Sequence, residues 1–242
     1  MATLDSIAGY LLKDINRAVH EFDLIEEGDR IAVGVSGGKD SRALLELLLR
    51  GVDIPGSYTV VAIHIDGSAT GLPDLRPVLE LWFDSLGVES ACVPMETTPT
   101  EKLPMSCYRC AWNRRRTLFH AADQLGCNKV ALGHHADDAA ATTLMSLMYK
   151  GRVETLEPRR SYFGDRLTLI RPLLYVTGAE IARYARASGW TFPPEQECPR
   201  REQSQRSQID QFLSRFSTRE RKQIRANLWR AARDAGMSSP SP

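Results

Sequence analysis

A short segment rich in glycine and hydroxyl groups carries the clearest chemical signal in this chain. It joins the apolar stretch 30–35 to the apolar stretch 42–49, and it consists of Ser36, Gly37, Gly38, Lys39, Asp40 and Ser41. Two adjacent glycines let the backbone approach an anion closely. A helix that follows would add free N–H groups and the positive end of its dipole, and Lys39 would add charge. The segment therefore predicts a phosphate-binding loop, with a spacing that is not that of a Walker A motif.

A second polar segment follows a later apolar stretch. It runs Gly133-His134-His135-Ala136-Asp137-Asp138 and joins a predicted strand (129–134) to a predicted helix (136–151). Two carboxylates near a phosphate loop favour Mg²⁺, which binds proteins partly through phosphate oxygens. The alternative is helix capping, because a carboxylate at a helix N-terminus is stabilising without any further function. For the two histidines, a polar cap over the site is as good an interpretation as catalysis.

Three cysteines have the type and setting of metal ligands. Cys107 and Cys110 form a C-x-x-C just before a predicted helix (111–126), and Cys198 lies in a polar, loop-like segment. Three thiolates leave one coordination position open, which a catalytic cluster or metal needs and a closed structural zinc site does not. A redox pair or three unrelated cysteines are the alternatives. The remaining two, Cys92 and Cys127, are expected in the core.

The elements around these segments predict how they are positioned. Apolar strands at 30–35, 58–66, 88–94, 129–134 and 167–173 alternate with helices, which favours an α/β fold: a doubly wound parallel sheet with helices on both faces and a helical C-terminal extension. Ligands of such sheets bind beyond the carboxyl ends of the strands. Ser36, Asp66 and the segment 133–138 should therefore converge on one crevice. The predicted domains are an N-terminal helix (1–24), a nucleotide-binding domain (25–195) and a basic helical tail (196–242).

Composition limits the partners and the compartment. The formal net charge of the 242 residues is +1, so the whole chain does not indicate a polyanionic partner, but the stretch 200–233 is rich in arginine and suits phosphate contacts. Arg114 and Arg115 could face phosphates, an RNA backbone or solvent. The sequence contains no run of about 18 apolar residues, so no membrane span is predicted. The N-terminus lacks signal-peptide features, which favours the cytoplasm, where stable disulfides are not expected.

The segment SGGKDS resembles the signature of the PP-loop ATP pyrophosphatases. From Phe22 to about Arg206 the chain resembles, more narrowly, the tRNA 2-thiocytidine synthetase (TtcA) family. The stretches that carry this resemblance are IEEGDRIAVGVSGGKDS, CYRCAWNRRRTLFHAADQLGCNKVALGHHADD, YKGRVETLEP, LIRPLLYV and EIARYARASGW. Their combination is far more specific than the loop alone, and it implies an adenine nucleotide alpha-hydrolase-like fold.

The resemblance implies an ATP-dependent tRNA sulfurtransferase that adenylates the 2-oxo group of an anticodon-loop cytidine and replaces it with sulfur. It implies catalytic roles for Lys39, Asp137 and Asp138, and ATP contacts from residues 36–41, Asp66, Gly133 and His134. The implied cofactors are ATP, Mg²⁺ and a [4Fe-4S] cluster held by Cys107, Cys110 and Cys198, with zinc as the alternative metal. The implied partners are tRNA, contacted by Arg114 and Arg115, and a sulfur donor such as a cysteine desulfurase. A homodimer is compatible with the sequence.

Two positions depart from the family pattern. Ala141 stands where the family has a glutamate, and Glu195 stands where it has a cysteine. Three other functions therefore stay open. The first is a paralogue that thiolates another RNA position or a small molecule. The second is an amide- or lysidine-forming ligase, which would not need three thiolates. The third is a non-catalytic, metal-stapled RNA-binding domain, which would not need SGGKDS together with HHADD.

Overall fold

The computed structural model describes residues 3–98, 100–101, 103–190 and 205–237 of the chain. Within these ranges lie a short 3₁₀ turn (Ser68–Thr70), six strands and eight α-helices. The strands are β1 (Arg30–Gly34), β2 (Thr59–Asp66), β3 (Glu89–Pro94), β4 (Lys129–Ala131), β5 (Arg159–Tyr162) and β6 (Leu167–Ile170). The helices are α1 (Leu4–Phe22), α2 (Lys39–Arg50), α3 (Arg76–Leu86), α4 (Cys107–Gln124), α5 (Ala136–Lys150), α6 (Gly178–Ala187), α7 (Gln205–Ser214) and α8 (Thr218–Asp234).

The strands form one sheet in the order β3-β2-β1-β4-β6-β5. Every neighbouring pair is parallel except β5 and β6, which are antiparallel. Strand β1 lies between β2 and β4, so the segments that follow β1 and β4 leave the sheet side by side. The predicted parallel sheet is confirmed, with one addition. Strand β5 was not predicted, because its sequence RRSY is polar, as is usual for a partly exposed edge strand.

Helices cover both faces of the sheet. On one face α1, α2, α3 and α6 enclose a core with fully buried residues such as Leu11, Leu44 and Phe83. On the other face Leu118 and Phe119 of α4 pack against the central strands. The doubly wound arrangement predicted from the alternation of strands and helices is therefore confirmed.

Helix α4 begins four residues earlier than the sequence predicted. Its N-cap is Ser106, whose Oγ accepts a hydrogen bond from the backbone N–H of Arg109 at 3.2 Å. The predicted start of this helix at residue 111 was wrong, because this cap extends the helix over the C-x-x-C. Cys107 and Cys110 therefore lie in the first turn of α4, on one face of the helix.

The C-terminal helices α7 and α8 pack against α5 rather than standing apart from the sheet. Trp229 of α8 meets Phe22 and Tyr175 edge to face, with ring centroids 6.3 and 5.9 Å away. The predicted boundary of the tail at residue 196 lies outside the described residues, and the domain limits stay predictions. None of the described helices is long and apolar enough to cross a membrane.

Candidate functional site

The phosphate loop is a tight turn between β1 and α2. The Oγ of Ser41 accepts a hydrogen bond from the backbone N–H of Ser36 at 3.1 Å and donates to the carbonyl of Gly38 at 3.1 Å. The two serine hydroxyls also lie 3.2 Å apart. These bonds hold the first turn of α2 beneath the loop, so that its N–H groups point toward an anion bound there. Lys39 lies at the rim, where its Nζ is 3.0 Å from the carboxylate of Asp40.

Two positions of the site require glycine for steric reasons. Gly37 has φ +85°, a conformation that other residues adopt only with strain. A Cβ on Gly133 would lie 2.9 Å from the backbone C of Asp40 and 2.9 Å from the backbone N of Ser41. The segment after β4 therefore touches the backbone of the phosphate loop directly, and no side chain fits between them. This contact brings the two polar segments together, as the sequence predicted.

His135 lies between the two segments. Its Nε2 lies 3.7 Å from Oδ1 of Asp40, while its Nδ1 lies 3.5 Å from Oδ2 of Asp138 and 3.7 Å from Oδ2 of Asp137. The imidazole is buried and is packed beneath Gly178, where a Cβ would approach its ring to 3.2 Å. The sequence left open whether His135 caps the site or takes part in catalysis. In the structure its ring lies between the carboxylate of Asp40 and the two aspartates of α5.

The carboxylates of Asp137 and Asp138 are each bonded twice. Asp138 accepts from the backbone N–H of His135 at 2.8 Å and from Arg206 at 2.7 Å. Asp137 accepts from the backbone N–H of Gly178 at 2.8 Å and from Arg225 at 2.6 Å. The capping role that the sequence allowed is thus present for Asp138. With a donor on all four oxygens, two of them guanidinium groups, this arrangement does not fit an open magnesium site. The predicted role of these two carboxylates as Mg²⁺ ligands is therefore not supported by this arrangement, and Mg²⁺ as a cofactor that enters with ATP stays a prediction.

His134 is held by a buried arginine at the carboxyl end of β6. The Nε of Arg171 donates to Nδ1 of His134 at 3.2 Å, and Nη1 of Arg171 donates to the carbonyl of Glu157. Because Nδ1 accepts, the neutral ring carries its proton on Nε2. Loss of hydration, and next the positive charge of Arg171, lower the pKa of His134 to about 4, with Arg115 and Arg206 adding to the effect and Asp138 opposing it. His134 is therefore a neutral hydrogen-bond donor at physiological pH.

This lowered pKa makes a testable prediction for stability. The unfolded chain binds a proton on His134 below its ordinary pKa of about 6.5, whereas the folded chain resists protonation down to about 4. Above pH 6.5 His134 is neutral in both states and costs no stability. As the pH falls toward 4, only the unfolded chain takes up the proton, and the free energy of unfolding decreases by about 2–3 kcal/mol. Urea unfolding at pH 7.5 and pH 5 checks it. His134→Gln, which cannot be protonated, should lose less stability over this interval; an identical loss would contradict the prediction.

Asp66 ends β2 at the same edge of the sheet. Its buried carboxylate accepts from the backbone N–H and the hydroxyl of Ser68, both at 2.9 Å, and lies 3.3 Å from Nε of Arg76. It thereby fixes the turn after β2. The role at the adenine end of ATP stays a prediction, since the bonds of Asp66 within the described chain are structural.

The first turns of α4 project past the sheet. Leu118 packs on Gly34, the last residue of β1, where a Cβ would approach its side chain to 2.9 Å. The helix before Leu118 therefore extends beyond the carboxyl edge, and Cys110 lies about 12 Å further along the axis. Arg114 and Arg115 stand between them. Burial lowers the pKa of His64, and the charge of Arg114 adds to this effect. Burial likewise lowers the pKa of His134, and the charge of Arg115 adds to it, so the charges of both arginines act on groups at this edge of the sheet.

The two described cysteines of the predicted cluster fit thiolate ligation. Cys107 is exposed, Cys110 is half-buried, and neither is in a disulfide. Their place at a helix N-terminus stabilises negative charge on sulfur. The third predicted ligand, Cys198, lies outside the described residues, as does Glu195; within those residues no group of three His, Cys, Asp or Glu side chains is arranged to bind a metal. Cys127 is buried and Cys92 half-buried in β3, in line with their expected core positions.

Several residues of the site had no sequence signal. Arg206 and Arg225 belong to the basic region that the sequence linked to RNA, yet they bond to Asp138 and Asp137. Arg171 lies in LIRPLLYV, one of the stretches that carry the family resemblance, but the sequence assigned it no role of its own. Ala141 is fully buried, so this departure from the family pattern places no polar group in the site. Only the tertiary arrangement could reveal these partners, because each lies far along the chain from the residue that it contacts.

Comparisons with known proteins show which proteins this chain is similar to. A family model described as a PP-loop domain matches residues 11–215. The tRNA-cytidine(32) 2-sulfurtransferase of Aeromonas hydrophila is 33% identical over 215 residues, covering 86% of this chain and 70% of that protein. The protein of the same name from Anaeromyxobacter dehalogenans is 34% identical over 229 residues, covering 91% and 77%. The U34-tRNA thiolase NcsA from Methanococcus maripaludis, solved with its [4Fe-4S] cluster, has a TM-score of 0.74 at 21% identity, covering 93% of this chain and 80% of that one.

Proposed function

This chain belongs to the PP-loop family, among the tRNA-cytidine(32) 2-sulfurtransferases, and from that premise we propose that it converts cytidine 32 of tRNA to 2-thiocytidine at the expense of ATP. The structural observation that supports the proposal most is the contact between the phosphate loop and the segment 133–138. It places Lys39, His134 and the head of α5 around one crevice at the carboxyl edge of the sheet.

The proposed first step is adenylation of the base. The 2-oxygen of cytosine forms a bond to the α-phosphorus of ATP, and the bond from that phosphorus to the bridging oxygen of pyrophosphate breaks. The loop N–H groups and Lys39 stabilise the charge that develops on the departing pyrophosphate. His134, neutral with its proton on Nε2, offers a donor to a phosphate oxygen. No step is assigned to Mg²⁺, because the carboxylates of Asp137 and Asp138 are occupied.

The proposed second step is replacement of the activated oxygen by sulfur. A C–S bond forms at C2 of the base, and the C–O bond to AMP breaks. Cys107, Cys110 and Cys198 would hold a [4Fe-4S] cluster, which when bound would carry the sulfur nucleophile that an external donor provides. The place of Cys107 and Cys110 at the head of α4, beyond the carboxyl edge, supports a thiolate-bound centre beside the ATP crevice, with zinc as the alternative metal. A cysteine desulfurase as sulfur donor, a homodimer and a cytoplasmic location are part of the same proposal.

The test is an anaerobic reaction of the purified full-length protein with unmodified tRNA, ATP and sulfide. Nucleosides from the digested tRNA should contain 2-thiocytidine only when ATP is present. Thiolation of another base would favour the paralogue, pyrophosphate release without thiolation would favour the ligase, and tRNA binding without pyrophosphate release would favour the non-catalytic domain.

The exposed face of α8 makes a separate prediction for tRNA binding. Arg219, Arg221, Lys222 and Arg230 are exposed and form no ion pair with the described part of the chain. Replacing all four by alanine should weaken tRNA binding and flatten its dependence on salt, by about 0.7–0.9 in the logarithmic slope for each phosphate that the variant no longer neutralises. Filter binding from 50 to about 300 mM salt measures this slope. An unchanged slope would show that α8 does not contact the tRNA backbone.

A further inference from the structure

Two arginines of the C-terminal helices differ from the other basic residues around them. Arg206 of α7 and Arg225 of α8 have only 33% and 22% of their side chains exposed, whereas Arg221 and Arg230 on α8 are exposed. Nη2 of Arg206 lies 2.7 Å from Oδ1 of Asp138, and Nη1 of Arg225 lies 2.6 Å from Oδ1 of Asp137. Both bonds join the last helices of the chain to the first turn of α5.

The docking of α7 and α8 does not depend on these bonds alone. Trp229 packs edge to face on Phe22 and Tyr175, and Ile209 and Ala232 are buried. Two partly buried charge pairs are a weak source of stability beside such packing. Their position points to another role, because both pairs lie beside His135 and hence beside the phosphate loop.

The charges of the crevice explain what this role is. Asp40, Asp137 and Asp138 all lie within 3.7 Å of the His135 ring, so three carboxylates face the place where a triphosphate would bind. Lys39 is 3.0 Å from Asp40 and offsets the first of them. Among the described residues, the guanidinium partners of Asp137 and Asp138 come from the C-terminal helices. Without these partners, two negative charges would repel the incoming phosphates.

We propose that Arg206 and Arg225 are positioning residues of the nucleotide site, which neutralise Asp138 and Asp137 so that ATP binds without a divalent cation on those carboxylates. The inference rests on the proposed ATP site. The C-terminal helices are then part of that site rather than only a surface for RNA.

The test measures ATP affinity by isothermal titration of the full chain, once with EDTA and once with Mg²⁺. Arg206→Ala combined with Arg225→Ala should weaken binding at least tenfold in EDTA, and less with Mg²⁺, which can then occupy the vacated carboxylates. Arg183→Ala with Arg186→Ala, a control on two exposed arginines of α6 outside the site, should bind ATP as the parent chain does. Unchanged or tighter binding by the Arg206/Arg225 variant would overturn the inference.

A second pair of variants separates charge from folding. If Arg225 acts by neutralising Asp137, then Arg225→Ala should bind ATP weakly in EDTA, and adding Asp137→Asn should restore much of the affinity. Restoration supports the inference, whereas no restoration would mean that Arg225 only holds α8 in place, and would overturn it. Failure of the parent chain to bind ATP would refute the proposed site as well, so the two failures are distinguishable.

Discussion

Replacing Lys39 by alanine is expected to lower ATP-dependent pyrophosphate release by about 10²–10³-fold, because the ammonium group stabilises charge that develops on the leaving phosphates. Lys39 lies at the first turn of α2, and its Nζ bonds only to Asp40 among the described residues. Its loss therefore removes a charge from the loop without opening a cavity in the core. Pyrophosphate release by the purified variant, in the presence of tRNA, is the measurement.

The matched control is Lys13→Ala, since Lys13 is an exposed lysine on α1. This variant should release pyrophosphate at the parental rate. The unfolding midpoint of Lys39→Ala should also match that of the parent, so that a loss of rate is not a loss of fold. A Lys39→Ala protein with parental activity would remove this residue from the mechanism and with it the assignment of the loop.

The second large effect is expected when either cysteine of the α4 pair, Cys107 or Cys110, is replaced. Replacing Cys107 or Cys110 by serine should remove most of the iron and sulfide from anaerobically purified protein and abolish thiolation, because a [4Fe-4S] cluster needs its thiolates. ATP binding should persist, since these residues lie beyond the carboxyl edge and make no bond to the phosphate loop in the described structure. Iron and sulfide analysis, together with ATP titration, measures both properties in one preparation.

Cys92→Ser and Cys127→Ser provide the controls, because these cysteines lie in β3 and in the core. Both should keep their iron. Cys198→Ser should behave like the α4 variants if Cys198 is the third ligand, and full iron content in it would show that the third ligand was wrongly chosen. Zinc in place of iron in all anaerobic preparations would contradict the cluster assignment.

The fold was accessible from the sequence because its central strands are apolar runs bounded by glycine and polar segments. Strand β5 was not, since Arg159 and Arg160 give no apolar signal and the strand exists through its pairing with β6. The start of α4 was misplaced for a related reason: the cap formed by Ser106 is a single side-chain bond, which a search for apolar periodicity does not detect.

The site was predictable only where its residues follow one another in sequence. The phosphate loop and the segment 133–138 each have their own motif, and parallel pairing of β1 with β4 brings them together. Arg206 and Arg225 contact residues 68 and 88 positions away, and no local pattern encodes such distances. The bond between Arg206 and Asp138 also determines which substitution of Asp138 is the better test of its role. Asp138→Ala would remove a cap and an ion pair at once, so Asp138→Asn tests chemistry more cleanly than the alanine does.

The central claim is that this chain makes 2-thiocytidine at position 32 of tRNA. Mass spectrometry of tRNA nucleosides from cells with and without the gene tests it most directly. Deletion should eliminate 2-thiocytidine, the intact gene should restore it, and the gene carrying Lys39→Ala should not. The strain must have no second enzyme that makes 2-thiocytidine. An undiminished level of 2-thiocytidine after deletion in such a strain would contradict the account.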